Sequence, residues 1–242
     1  MEAIKTVALT KKYKDTVAVN SLSLSIEEGE LFSLLGVNGA GKTTTIKMLT
    51  CLARPTSGEA YVLGKSITED SNEVKSLIGV SPQESAIAEG LSVFENLDLI
   101  CGVHGFSKDK RKEKISELTK LLSLSTVISK KAGKLSGGFK RRLSIAMALI
   151  SDPKILFLDE PTLGLDVISR SELWDVIRAL KGKITIILTT HYMEEAEMLS
   201  DRIAIMKDGK LLVCASAEKI KEKTGAERFE EAFIHIVKGE TL

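Results

Sequence analysis

The segment GVNGAGKT, residues 36–43, has the residue types and the spacing that hold phosphate; we refer to it as the phosphate loop. It matches the pattern GxxxxGK[ST] and lies between an apolar strand pattern and a helical one. Its glycines would let backbone amides close around phosphate oxygens, while Lys42 would reach the terminal phosphates and the Thr43 hydroxyl would ligate Mg²⁺. The segment predicts a nucleotide site that includes Gly36, Asn38, Gly39, Ala40, Gly41, Lys42, Thr43 and Thr44.

A second segment with catalytic residue types is ILFLDEP, residues 155–161, an apolar run that ends in two carboxylates. Beside a phosphate loop, this pattern is typical of the magnesium side of a nucleotide-hydrolysing site. Asp159 would hold the metal through water. Glu160 would act as general base, because a carboxylate next to the terminal phosphate can orient and deprotonate the attacking water.

A third segment, LSGGFKRR at residues 135–142, places a serine and two glycines at an expected helix start. Backbone amides at a helix N-terminus bind anions, so Ser136, Gly137 and Gly138 form a second candidate phosphate site, which we call the SGG loop. One nucleotide needs only one phosphate loop. The sequence therefore raises the question of why a second anion-binding loop is present.

The elements that must position these residues follow an alternating strand and helix pattern. Short apolar runs predict strands at IKTVAL, LFSLLG, YVLG, IGVS, ILFLD, ITIILTT and RIAIMKDG, which indicates an α/β fold with a mainly parallel sheet. After Gln83 the pattern becomes purely helical, with Ser92 and Glu95 in the spacing of a capping box. We expect one domain over residues 1–242, with a helical subdomain inserted at about 84–150 and a C-terminal appendage at about 225–242. Trp174 shares a helical spacing with Val167, Ile177 and Leu180, which predicts a buried helix face.

Composition argues against several classes of function. Lysine and arginine number 34 against 33 acidic residues, so the chain lacks the positive field needed for non-specific nucleic-acid binding, and we expect no nucleic-acid partner. The three cysteines are scattered without a CxxC pair, which disfavours a disulfide framework or a zinc site and fits a reducing cytoplasm. Neither a bilayer-length apolar run nor a signal-peptide pattern is present in the sequence.

Taken in order, the motifs GVNGAGKTT, SPQE, LSGGF, LFLDEP, LGLD and TTHYMEEAE resemble those of the nucleotide-binding subunit of ATP-binding cassette (ABC) transporters. The resemblance covers nearly all of the chain. It implies a P-loop ATPase core with a mainly parallel sheet, an antiparallel β-rich N-terminal part and an inserted helical subdomain. It also implies ATP and Mg²⁺ as ligands, and an SGG loop that caps the terminal phosphate of ATP bound to the opposite subunit.

The resemblance assigns further residues to the site. Tyr13 lies where the family places an aromatic ring on adenine, and Gln83 where a glutamine contacts magnesium and water, so the implied metal residues are Thr43, Gln83 and Asp159. His191 corresponds to a switch histidine that contacts the terminal phosphate and positions the water of Glu160; the implied catalytic residues are Glu160, His191 and Lys42.

Two of these assignments have a structural alternative. Asp166 matches the loop that crosses the dimer interface, and an aspartate before a helix is equally suited to be its N-cap. Tyr13 would also fit a half-buried position on an edge strand.

Phe139 departs from the family, which most often has glutamine there, so an essential amide at that position would make this chain a degenerate ATPase.

The resemblance also implies partners and a location. It implies a second nucleotide-binding subunit, either another copy or a close homologue, and a separate transmembrane permease that holds the chain at the cytoplasmic face of the cell membrane. The spacing and the C-terminal segment most resemble the exporter branch.

The alternative class is a non-transport ABC-type ATPase in DNA repair, chromosome organisation or ribosome function. The short helical insertion, the single cassette and the near-neutral charge argue against it. A GTPase switch is disfavoured because the chain has no NKxD-like motif to read the base.

Overall fold

The central element of the fold is a six-stranded sheet, described with the rest of residues 1–239 by a computed structural model. In spatial order its strands are β10 (Lys210–Ala215), β9 (Arg202–Lys207), β3 (Leu31–Leu35), β8 (Thr185–Thr190), β7 (Ile155–Asp159) and β6 (Ile78–Ser81). The strands from β9 to β6 pair in parallel, and β10 pairs antiparallel with β9. Every residue of β3, β7 and β8 is buried, as in strands covered on both faces. The predicted α/β class with a mainly parallel sheet is confirmed.

A second, antiparallel sheet is formed by the N-terminal part of the chain. Its strands, in spatial order, are β2 (Thr16–Glu27), β1 (Glu2–Tyr13), β4 (Ser57–Val62) and β5 (Lys65–Ser66). Ile4 and Leu22 of this sheet share one buried apolar cluster with Phe32 and Phe157 of the central sheet. The expected antiparallel N-terminal part is therefore present, and it includes β2, which the apolar runs did not predict.

Helices cover both faces of the central sheet. They are α1 (Lys42–Leu49), α2 (Ser71–Leu77), α6 (Val167–Leu180), α7 (Met193–Leu199), α8 (Ala217–Thr224) and α9 (Phe229–Lys238). Helix α9 packs Phe229 and Phe233 into a cluster with Leu35 and Ile203. It lies within the proposed appendage at about 225–242, of which residues 240–242 lie outside the described part. Across residues 1–239, no helix has both the length and the apolar content to cross a membrane.

Helix α6 is buried along one face but exposed at its start. Trp174, Ile177 and Leu180 are buried, as their spacing predicted. The prediction was wrong for Val167, which is 78% exposed. Val167 directly follows the N-cap residue Asp166, so it lies at the free end of the helix, before the part that packs on the core.

The segment between β6 and β7 is helical and shares a core with the rest of the chain. It contains α3 (Val93–Val103), α4 (Lys108–Leu121) and α5 (Gly137–Leu149), with 3₁₀ turns at Ser125–Val127 and Ala132–Lys134. The predicted capping box starts α3: Glu95 N donates to Ser92 Oγ (3.2 Å), and Ser92 N donates to Glu95 Oε2 (2.7 Å). Leu97 and Leu143 belong to the same apolar cluster as Leu156 of the sheet. The helical segment is thus packed directly on the core.

We predict that Leu97→Ala destabilises the protein by about 2–5 kcal/mol, because Leu97 is fully buried in that shared cluster and its truncation leaves a cavity. Leu99→Ala on the same helix is the matched control, since Leu99 is 51% exposed. Urea unfolding of both variants measures the difference. Equal stabilities would mean that the helical segment does not contribute to the cooperative core.

Candidate functional site

The phosphate loop joins the end of β3 to the start of α1, and its backbone geometry requires glycine at two points. Gly41 has φ of 102°, and a Cβ there would lie 2.5 Å from the carbonyl oxygen of Ala18. A Cβ on Gly36 would lie 2.4 Å from the carbonyl oxygen of Met206. Larger residues would therefore push the loop away from the strands that support it.

Lys42 directs its ammonium group into this loop. Its Nζ donates to the carbonyl oxygens of Gly36 (2.8 Å) and Val37 (3.3 Å), and it lies 3.8 Å from Oε1 of Glu160. Burial lowers the pKa of Lys42, while the charges of Glu160 and Asp159 oppose the shift. The lysine is thus held between the loop and the acidic end of β7.

Asp159 and Glu160 stand at the carboxyl end of β7 and have different environments. Asp159 Oδ1 accepts hydrogen bonds from the hydroxyls of Thr189 and, at 3.3 Å, Thr43. Glu160 adopts φ of 47°, a region that residues with side chains seldom occupy. Its N–H donates to the carbonyl oxygen (3.1 Å) and hydroxyl (3.0 Å) of Thr189, which hold the backbone in that conformation.

His191 follows β8 directly and faces the same carboxylate. Its Nδ1 lies 3.2 Å from Oε2 of Glu160, without the alignment of a hydrogen bond. The ring of Tyr192 packs 4.2 Å from the imidazole, centroid to centroid. Glu160 therefore lies between the Lys42 ammonium on one side and an imidazole on the other.

These groups meet in a cleft of about 730 Å³. The sequence-predicted residues that line it are Asn38, Gly39, Ala40, Gly41, Lys42, Thr43, Thr44, Gln83, Glu160 and His191. Gly36 and Asp159 lie behind this lining, where they contact Lys42 and Thr43 respectively. The lining residues that sequence reasoning missed are Thr16, Val17, Ala18, Leu163 and Asp208. Leu163 begins the LGLD motif but was not assigned to the site, and no motif marks the other four, which belong to a strand start and a turn brought in by the fold.

Tyr13 lies beside the cleft rather than in its lining. It is half-exposed at the end of β1, where it pairs with Thr16, a residue of the rim. The ammonium of Lys11 lies 4.9 Å from the centre of its ring. Contact between Tyr13 and adenine stays a prediction.

The SGG loop lies apart from the cleft, and within residues 1–239 its members are absent from the cleft lining. Ser136 is the N-cap of α5 and accepts a hydrogen bond from Phe139 N (3.5 Å), and both Ser136 and Gly137 are exposed. Gly138 packs against Ser169 of α6 so closely that a Cβ would lie 3.1 Å from it. One chain therefore does not bring its SGG loop to its own phosphate loop.

Asp166 is the N-cap of α6, next to the SGG loop. It accepts hydrogen bonds from Ser169 N (2.9 Å) and Ser169 Oγ (2.7 Å), and these bonds lower its pKa. The capping alternative is confirmed by this geometry. Since Asp166 is exposed, its contact across a dimer interface stays a prediction.

Residues 19–163 match the family model described as ABC transporter. The chain belongs to the ABC transporter family. The order of its six motifs and its two-sheet fold with a helical insertion agree with that assignment. The resemblance seen in the sequence is therefore confirmed.

This ABC domain spans very different shares of the length of its relatives. The human protein described as phospholipid-transporting ATPase ABCA3 is 44% identical over 88% of this chain, which spans 12% of that protein. The daunorubicin/doxorubicin resistance ATP-binding protein DrrA of Streptomyces peucetius is 40% identical over 93% of this chain and 68% of its own length. Among solved structures, the dimeric post-hydrolysis state of the ATP-binding cassette MJ0796 bound to ADP and Pi has a TM-score of 0.78 and 28% identity over 88% of this chain and 98% of that one.

The oxygen atoms around Thr43 and Asp159 fit Mg²⁺, the metal that the ABC family implies. Magnesium is bound in such sites by one or two protein oxygens, with the remaining ligands from phosphate and water. The Thr43 hydroxyl and the Asp159 carboxylate lie within 3.3 Å of each other and could both face one ion. Within the described chain there is no cluster of three His, Cys, Asp or Glu side chains suited to a metal.

Phe139 is a packing residue in this ABC domain. Its ring packs against the apolar cluster that contains Leu143, and the guanidinium carbon of Arg142 lies 5.3 Å from the ring centre. Arg142 in turn pairs with Glu172 of α6. The Phe139 amide that bonds Ser136 belongs to the backbone, so the anion-binding groups of the SGG loop do not depend on this side chain.

We predict that Phe139→Gln changes the ATP hydrolysis rate by less than about tenfold, or roughly 1.4 kcal/mol in the barrier. Ser136→Arg should nearly abolish hydrolysis, because a bulky side chain would occupy the anion site. Steady-state ATPase assays compare the two variants. A gain of more than about a hundredfold in Phe139→Gln would show that phenylalanine cripples the site.

Proposed function

We propose that the chain binds and hydrolyses ATP as the nucleotide-binding subunit of a transporter, dimerises on ATP and drives a separate membrane permease. The observation that carries the proposal is the position of the Glu160 carboxylate, 3.8 Å from Lys42 Nζ and 3.2 Å from His191 Nδ1 at the mouth of the phosphate loop. A base, a cation and an imidazole converge where the terminal phosphate of ATP would lie. This arrangement suits phosphoryl transfer to water.

In this mechanism the loop amides and Lys42 bind the phosphates of ATP. Lys42 would exchange its bonds to the loop carbonyls for bonds to phosphate oxygens. Thr43, Asp159 and Gln83 would hold Mg²⁺, which supplies neutralisation of the phosphate charge when bound. Glu160 would accept the proton of the attacking water, and His191 would orient that water and contact the terminal phosphate.

A dimer would explain the second anion loop. The SGG loop is exposed and lies away from the cleft of its own chain, so it would complete a site only on a partner chain. Val167 and Ile168, beside Asp166, are 78% and 72% exposed, which provides an apolar contact surface at the same place. The structurally similar MJ0796 cassette is dimeric, which supports this proposal. The partner would be a second copy or a close homologue.

A membrane permease would be the remaining partner and would hold the subunit at the cytoplasmic face of the membrane. The names of DrrA, a drug resistance protein, and of ABCA3, a phospholipid-transporting ATPase, favour export. Leu99 and Val103, one turn apart on α3, are 51% and 76% exposed and form an apolar surface available to a partner. The transport proposal is preferred over a DNA-repair or ribosomal ATPase because the net charge of +1 does not favour nucleic acid.

We predict that Glu160→Gln retains ATP binding but loses most turnover, because the amide keeps the shape of the side chain and cannot accept the proton. ATP should therefore trap this variant as a dimer, seen by gel filtration alongside an ATPase assay. Glu113→Gln, on the exposed face of α4, is the matched control and should behave as wild type. Wild-type turnover in Glu160→Gln would remove Glu160 from the role of base.

We also predict that mixing a Lys42→Ala chain with a Ser136→Arg chain restores activity above that of either variant alone. In the mixed dimer, one composite site carries both defects and the other carries neither, so at most one site recovers. ATPase activity is measured as a function of the mixing ratio. Full wild-type activity of monomers under dilution would refute the shared site.

A further inference from the structure

Arg141 is a buried side chain that the mechanism above does not use. It lies on α5 and is only 6% exposed. Its Nη1 donates to the carbonyl oxygen of Pro82 (2.6 Å), and its Nη2 donates to those of Gln83 (2.8 Å) and Glu160 (3.4 Å). One guanidinium thus joins the helix of the SGG loop to two segments of the ATP cleft.

The guanidinium of Arg141 has these carbonyl groups as its hydrogen-bond partners. Burial lowers its pKa, and the nearby charges of Asp159, Glu195 and Glu160 oppose that shift. Within the described chain, no carboxylate forms an ion pair with it. A buried cation is costly unless its donors are satisfied, so the guanidinium fork favours the arrangement in which all three carbonyl groups face it.

The position of Arg141 along α5 connects the two ends of this contact. The helix begins after its N-cap Ser136, and Arg141 follows five residues later, roughly 7–8 Å along the axis at about 1.5 Å per residue. If α5 moves as a rigid body, a displacement at Ser136 would reach the guanidinium. The hydrogen bonds of the guanidinium would then pass it to the backbone of Gln83 and Glu160.

We infer that Arg141 is a positioning residue that holds Gln83 and Glu160 of its own chain in register with the helix that serves the partner's ATP. This inference rests on the proposed function, in which the SGG loop acts across the dimer while Gln83 and Glu160 act within the chain. Hydrolysis at one composite site therefore depends, through Arg141, on the helix engaged at the other site. Arg141 does not line the cleft, so it acts through the backbone of these two segments.

The assignment is tested in mixed dimers, in which Arg141 is replaced in one chain at a time. A chain with intact Glu160 is mixed with an excess of the Glu160→Gln chain, so that nearly every dimer with an intact Glu160 contains only one, and the first-turnover rate of radiolabelled ATP is measured. Arg141→Met is placed either in the chain with Glu160 (cis) or in the Glu160→Gln chain (trans). Lys140→Gln in the same two places is the matched control, because Lys140 pairs with Glu89 on the surface and contacts neither loop carbonyl.

We expect the cis variant to lose at least about tenfold in first-turnover rate, while its affinity for a fluorescent ATP analogue stays within about threefold of wild type. The trans variant and both Lys140→Gln dimers should lose less than about threefold. A loss confined to the trans variant would mean that Arg141 only supports α5 and its SGG loop, and equal losses in cis and trans would mean a general defect of the chain; either result would overturn the inference. Rates unchanged in both places would overturn it as well.

A folding defect is separated from positioning by a second variant. Arg141→Lys keeps the buried charge but replaces the planar fork by one ammonium, so it should fold with a near wild-type melting temperature and lose an intermediate amount of rate in cis. If it retains the full rate, the fork is not needed and the inference fails. Failure of Glu160→Gln to dimerise with ATP would instead refute the proposed function itself.

Discussion

Parallel pairing of β3, β8 and β7 is the constraint on which the whole site depends. In a parallel sheet the carboxyl ends of neighbouring strands meet at one edge, and here Leu35 is opposite Thr190 while Asp159 is opposite Thr189. The chain continues from these ends into the phosphate loop, His191 and Glu160. The strand pairing thus brings three segments far apart in sequence to one cleft, and the hydrogen bonds of Thr189 to Asp159 and Glu160 fix the position of the acidic segment relative to β8.

The electrostatics of the cleft fit a site prepared for a highly charged ligand. Lys42 is buried, donates to the carbonyl oxygen of Gly36 at 2.8 Å and has its nearest carboxylate oxygen, Glu160 Oε1, at 3.8 Å. Phosphate oxygens would replace neutral carbonyl partners with charged ones, which would strengthen the hydrogen bonds of Lys42 on ligand binding. The left-handed Glu160 backbone adds a local cost that the two bonds from its N–H to Thr189 offset.

Local patterns predicted most of this molecule. The phosphate loop, the strand that ends in Asp159 and Glu160, and the capping box at Ser92 each depend on residues within one short segment, which a sequence displays directly.

Val167 was wrongly expected in the core because helical spacing does not tell where packing begins along a helix. Arg141 was missed because a basic run reads as a solvated face, and only the fold brings the carbonyls of Pro82, Gln83 and Glu160 to it. The proposed roles of Tyr13 and of the SGG loop across a dimer came from family resemblance, since periodicity carries no information about a partner chain.

The apolar cluster that α3, α4 and α5 share with β7 and α6 limits how the helical segment can move. A hinge requires an interface with few contacts, whereas the interface between the helical segment and the sheet is filled by leucines such as Leu143, Leu156 and Leu173. Packed interfaces of this kind accommodate small sliding displacements with side-chain repacking, as in shear motions, rather than free rotation about a linker. Any displacement of the helical segment relative to the sheet would therefore be small, on the order of a few ångströms, and the segment would transmit force with little internal deformation.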